Sequence, residues 1–152
     1  MPRNRNEHSV EIESPAARVF PYLVEEEKLM QWLGGLVESE PLTTGEVGVG
    51  SRSREVIEVG RARMEVESEI TGYRLNELLE ARNFSKSFET MSIYRLRETE
   101  GRTLLRSVVE SEYKALLTRL LSPLITRQAQ KKLEADLARL KQIVEAREDT
   151  TV

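Results

Sequence analysis

The chain has 152 residues, no cysteine and a net charge of −3, a length that suits one domain with one hydrophobic core. The lack of cysteine excludes disulfides, thiolate metal sites and thiol nucleophiles, and a pI near 5.5 argues against nucleic acid as a partner. No run approaches the roughly 20 apolar residues that cross a bilayer, Met1 to His8 is polar and unlike a signal peptide, and a cytoplasmic setting is expected.

His8 to Ile12 alternates and predicts a short strand, with residues 1–7 left as a flexible tail. In Ser14-Pro15 the serine can cap a helix, and the proline fits a first turn without losing a needed donor. That helix carries Val19, Phe20 and Leu23 on one side. Pro21 lies inside it and should bend or shorten it, because it cannot donate to the Ala17 carbonyl. A second short amphipathic piece, Glu26 to Leu33, bears Leu29, Trp32 and Leu33 and stops at Gly34-Gly35.

From Leu36 to Tyr113 the period changes to two. A hairpin turning between Val59 and Gly60 would set Arg54 opposite Glu65, Arg52 opposite Glu67 and Glu58 opposite Arg61. The other face would pair Ile57 with Ala62, Glu55 with Met64, Ser53 with Val66 and Ser51 with Ser68. One register thus gives a complementary charged face and a mostly apolar or small one, and a one-residue slip would destroy both. Further strands run over Asn76 to Phe84, Phe88 to Arg97 and Arg102 to Tyr113, with Arg82 opposite Glu89 outside and Ala81 opposite Thr90 inside. A short apolar helix around Leu116, Leu117, Leu120 and Leu121 precedes a long one, from Pro123 to about Arg147, with Ser122 as its cap. At 1.5 Å per residue the long helix would measure roughly 37 Å. Its stripe of Ile125, Ala129, Leu133, Leu137, Leu140 and Val144 needs a sheet to cover. The reading is a single domain over 8–147, with residues 148–152 as a second tail.

The inward face predicted by these registers mixes hydroxyls (Ser51, Ser53, Ser68, Thr90, Ser92, Ser107, Ser111) with Met64, Val66, Ile70, Leu79, Tyr94, Leu105, Val109 and Tyr113. Hydroxyls in a close-packed core need partners, and small residues leave volume unfilled. A cavity with apolar walls and a few hydroxyls meets both demands. Glu55 is the one carboxylate that the register points inward, so burial would raise its pKa toward that of a general acid or base. Tyr94 and Tyr113 could orient a ligand oxygen. These three are the candidate catalytic residues.

Other chemistries lack their parts. His8 is the only histidine and no cysteine is present, so no zinc set exists, and a serine–histidine–acid triad is not expected from a lone histidine ahead of the first strand. Gly45, Gly48 and Gly50 lack the lysine and context of a phosphate loop. No metal and no cofactor is expected.

The order of these elements resembles the START-like (SRPBCC) superfamily. The residues that carry the likeness are Val10-Glu11-Ile12 running into Ser14-Pro15, Val19-Phe20 followed by Trp32, Gly48 and Gly50 before the first long hairpin, and Leu133, Asp136, Leu137, Leu140 and Lys141 near the end. The resemblance implies an α+β helix-grip fold, a curved antiparallel sheet of about seven strands wrapped around the long helix, with two short helices after the first strand. It also implies a cavity between sheet and helix for a small hydrophobic or aromatic ligand. The ligand-binding set would be Trp32 at one end, Ser53, Glu55, Met64, Val66, Ser68, Thr90, Ser92, Tyr94, Leu105, Ser107, Val109 and Tyr113 on the sheet, and Leu121, Ile125 and Ala129 on the helical side. A cyclase or dehydratase acting on a polyketide-like substrate is the alternative, and an interaction module like the heat-shock ATPase activators a third, for which no exposed apolar patch stands out in the sequence. A homodimer is left open.

Overall fold

The computed structural model describes residues 4–149. Its elements are β1 (Asn4–Ile12), α1 (Ala16–Val19), α2 (Pro21–Val24), α3 (Glu26–Trp32), β2 (Leu36–Pro41), β3 (Arg52–Val59), β4 (Ala62–Arg74), β5 (Leu78–Phe84), β6 (Phe88–Thr99), β7 (Arg102–Tyr113), α4 (Leu116–Leu120) and α5 (Ser122–Asp149). The strands form one antiparallel sheet in the order β1-β7-β6-β5-β4-β3-β2, an α+β helix-grip arrangement. β1 starts at Asn4, earlier than its alternation suggests, because Asn6 is tied to α5 through the Thr126 carbonyl and Gln130. Residues 1–3 and 150–152 of the expected tails lie outside the described residues.

Pro21 splits the first helix into two single turns, α1 and α2, joined at Phe20. Ser14 does not cap it. The Ser14 hydroxyl is buried without a partner, and the free Ala16 amide donates instead to Glu98 Oε1 at the end of β6, 2.7 Å away. A carboxylate at a helix start satisfies the same orphan donor that a serine would. Gly35 ends the α3 turn with φ +88°, and a Cβ there would stand 2.8 Å from the Glu58 carbonyl oxygen.

The β3–β4 register is shifted by two residues from expectation, with Arg54 facing Glu67, Glu55 facing Val66 and Glu58 facing Arg63. A shift of two keeps every side chain on its face, and two of the three expected ion pairs survive on the diagonal, while Glu58 pairs with Arg63 in place of Arg61. Arg54 Nε donates to Glu65 Oε1 at 2.7 Å, and Arg52 pairs with Glu67. The β5–β6 pair behaves alike: Arg82 faces Met91 in register yet bonds Glu89, and Ala81 faces Ser92 instead of Thr90. Two-residue slips cost no amphipathicity, so periodicity alone does not decide between them.

The core gathers Ile12, Val19, Phe20, Trp32, Leu105, Leu137 and Leu140, all nearly solvent-free. α5 contributes its second half only. Leu133, Leu137, Leu140 and Val144 are buried, while Ile125 and Ala129 are half-buried and Leu121 and Leu124 exposed. Asp136 clasps α5 to the end of α3 by accepting from the Gly34 amide at 3.2 Å, and Arg139 donates to the Trp32 carbonyl at 3.1 Å. Among the described residues no helix is long and apolar enough to cross a membrane.

Candidate functional site

A cavity of about 550 Å³ opens between α2–α3, the β2–β3 connection and the inner face of β3 to β6. Leu23, Leu29, Leu33, Ile70 and Leu79 give it apolar walls, and Ser39, Ser53, Glu55, Ser68, Asn83, Ser92 and Tyr94 give it polar ones. Alternation in β3 sets Ser53 and Glu55 inward, and the antiparallel partners Ser68 and Val66 follow. A bulge between Leu36 and Glu38 changes the phase of β2, which brings Ser39 opposite Glu55.

Glu55 is 8 % exposed and has no ion-pair partner among the described residues. Burial, followed by the negative charge of Glu26 at the start of α3, pushes its carboxyl up to about 7, with the Ser53 hydroxyl opposing. The Ser39 hydroxyl beside it is buried and has no hydrogen-bond partner. Tyr94 lines the same space, and burial, then the charges of Asp136 and Glu55, hold its phenol well above the usual range. It therefore stays a neutral donor at any ordinary pH. Asn83 Nδ2 donates to Thr90 Oγ1 at 3.2 Å and to Ser92 Oγ at 3.3 Å, which fixes two hydroxyls of the wall.

The expected site residues thus separate. Ser53, Glu55, Ser68, Ser92 and Tyr94 line this cavity, and Thr90 stands just behind Asn83. Met64 and Val66 border a second depression, with Phe84 and Lys86, whose charged members Arg54, Glu65 and Glu67 lie on the ion-paired face of the sheet. That depression holds no buried ionisable group or orphaned hydroxyl, so the Glu55 cavity is the better site. Leu105 and Ser107 are solvent-free in the core, Val109 packs against it, and Tyr113 ends β7, its phenol raised by burial. None of the cavity's lining residues comes from α5, so Leu121, Ile125 and Ala129 stand apart from it. The helix begins to bury its stripe only at Leu133, and α3 with the β2–β3 connection forms the wall that α5 was expected to supply. Trp32, expected at one end of the cavity, lies in the core instead: it is 1 % exposed, its Nε1 donates to the Tyr22 carbonyl at 2.8 Å, and its ring meets Tyr94 edge-on at 6.3 Å. Leu23, Leu29, Leu33, Asn83, Ser39 and the β2–β3 residues Thr43, Gly45 and Val47 belong to the lining without having been anticipated.

The sequence profile of the family described as polyketide cyclase / dehydrase and lipid transport matches residues 4–145. The chain belongs to that family. Solved structures agree on the fold. The Zhui aromatase/cyclase of Streptomyces sp. R1128 superposes with a TM-score of 0.81 at 15 % identity, covering 96 % of both chains. A Thermus thermophilus protein gives 0.74 at 19 % identity, covering 93 % of this chain and 97 % of its own. Ara h 8.0201 gives 0.67 at 13 %, covering 95 % and 99 %. No curated protein matches the chain. At such low identity these structures share the helix-grip fold with the chain, and a fold does not fix a function.

Proposed function

We propose that the chain holds a small, largely apolar molecule, hydrophobic or aromatic, in the Glu55 cavity and grips its polar end with Glu55 and Ser39. The observation that carries this reading is that pair: a buried carboxyl with no cation bonded to it, beside a buried hydroxyl with no partner, in the wall of an apolar space. Glu55 is met by the Ser53 hydroxyl, whereas the Ser39 hydroxyl has no partner. A buried polar group left unmatched costs about 1–3 kcal/mol, and a ligand oxygen or nitrogen at Ser39 relieves that cost. The volume suits a drug-sized molecule. Native mass spectrometry of the purified protein, with thermal shifts over fatty acids, flavonoids and polyketide-like phenols, tests it. At least one compound should co-purify or raise Tm saturably, since binding to the folded state alone stabilises it. Ser53→Trp should fill the cavity and remove the response while the fold persists. Failure of every compound to co-purify or to shift Tm would sink the reading.

A second reading, catalysis of a cyclase or dehydratase type, is favoured by one observation. A carboxyl near 7 is about half protonated at neutrality and can both give and take a proton. Tyr94, always protonated, would donate to a substrate carbonyl. Glu55→Gln keeps an amide that can still hydrogen-bond the ligand but cannot exchange a proton with it. Ligand binding therefore persists under both readings, and only an enzyme loses turnover, by a factor of about 100 or more.

A further inference from the structure

We propose that the tip formed by α4 and the start of α5 docks on an anionic phospholipid bilayer. Leu116 and Leu120 are 72 % and 71 % exposed, and Leu121 and Leu124 follow at 46 % and 53 %. They are not displaced core residues, because the opposite side of α5 is already seated: Asn6 bonds the Thr126 carbonyl and Gln130 there. The outward face repeats at helical spacing as Leu124, Arg127, Gln128 and Lys131, all exposed.

Charge says what covers this face. From Lys114 to Lys132 the sequence has five cations (Lys114, Arg119, Arg127, Lys131, Lys132) and no Asp or Glu, in a chain whose net charge is −3. The arginines of the sheet's outer face are largely neutralised, as in Arg54–Glu65, Arg63–Glu58 and Arg106–Glu7. Here, among the described residues, only Lys132 meets a carboxylate, that of Asp136. Lys114 and Arg119 donate to backbone carbonyls and keep their charge uncompensated. Leucines ringed by lysine and arginine match the depth profile of a lipid interface: apolar below, phosphate at the level of the cations. The small size of the face favours lipid over an acidic protein. A five-residue helix with the exposed leucines beside it is small for a stable protein interface, which buries about 800 Å² per partner, whereas a bilayer needs no matching surface.

Flotation of the full chain with vesicles of phosphatidylcholine mixed with phosphatidylglycerol, and with phosphatidylcholine alone, tests this. The chain should float with the anionic vesicles and not with the neutral ones, and should be released by high salt. Each cation near such a surface raises partitioning roughly fivefold, so Arg127→Gln with Lys131→Gln should lower it roughly 25-fold. Leu116→Asp with Leu120→Asp should abolish it while the circular dichroism spectrum stays unchanged. Equal binding to both vesicle types, binding to neither, or full binding by the charge variant would overturn the proposal. So would a dimer in sedimentation that Leu120→Asp dissociates, or crosslinks from this tip to an acidic protein, either of which assigns the leucines elsewhere.

Discussion

Two demands oppose each other at the carboxyl of Glu55: burial favours its neutral form, and neutral pH favours its anion. Its folded value of about 7 stands above the ordinary 4.5, so the folded state holds the proton more tightly than the unfolded chain. The contribution is therefore full below pH 4.5 and is lost as pH rises through 7, a loss of about 3 kcal/mol across that window. Glu55→Gln should flatten this slope and be the more stable protein at pH 8, as urea unfolding at a series of pH values would reveal. Identical slopes in the two proteins would place the titration elsewhere. A second single-residue test is Gly35→Ala. Its φ of +88° and the 2.8 Å approach to the Glu58 carbonyl predict a loss of at least about 2 kcal/mol, read from the same unfolding curves. At this scale the sequence was readable where parity alone decides, as for Ser53 and Glu55. It was not readable for Ser39, because a bulge turns that side chain inward and no alternation announces a bulge.

Elements add a second kind of information, in which contacts between distant segments outvote local pattern. Ser14-Pro15 looks like a capped helix start, yet Glu98, from β6, supplies the cap, and only the folded sheet brings it there. The strand faces were legible while the registers were not, since a two-residue slip preserves alternation and leaves diagonal pairs such as Arg54–Glu65 within reach. α5 reads as one continuous stripe, but its two halves live in different surroundings. Leu137 is solvent-free and Leu124 is 53 % exposed. Leu137→Ala should therefore cost about 3 kcal/mol, whereas Leu124→Ala should stay within about 0.5 kcal/mol of the parent. Equal losses at both positions, measured by denaturant unfolding, would mean that the first half of α5 is packed after all.

The molecule as a whole was legible as a helix-grip fold because the order of its elements was, from the break at Pro21 to the switch of period at Leu36, even where caps and registers were not. The exposed leucines around α4 were not, because apolar residues near a long helix read as core until their surroundings are known. Among the described residues no group of three metal-ligating side chains comes together, and a chelator should leave Tm unchanged. A lowered Tm would reveal a bound ion.

The position of β1 governs how the chain can acquire its fold. The first strand pairs with the last, Asn4 with Ser111 and Ile12 with Thr103, and is then covered by α5. Contacts of such long sequence separation close late and fold slowly. During synthesis β1 emerges first, waits unpaired for about a hundred residues, and offers its open edge to any neighbouring chain in the meantime. A nascent chain stalled at Tyr113 should therefore remain protease-sensitive, and one extended through Val144 should resist, with chaperone demand concentrated in that interval.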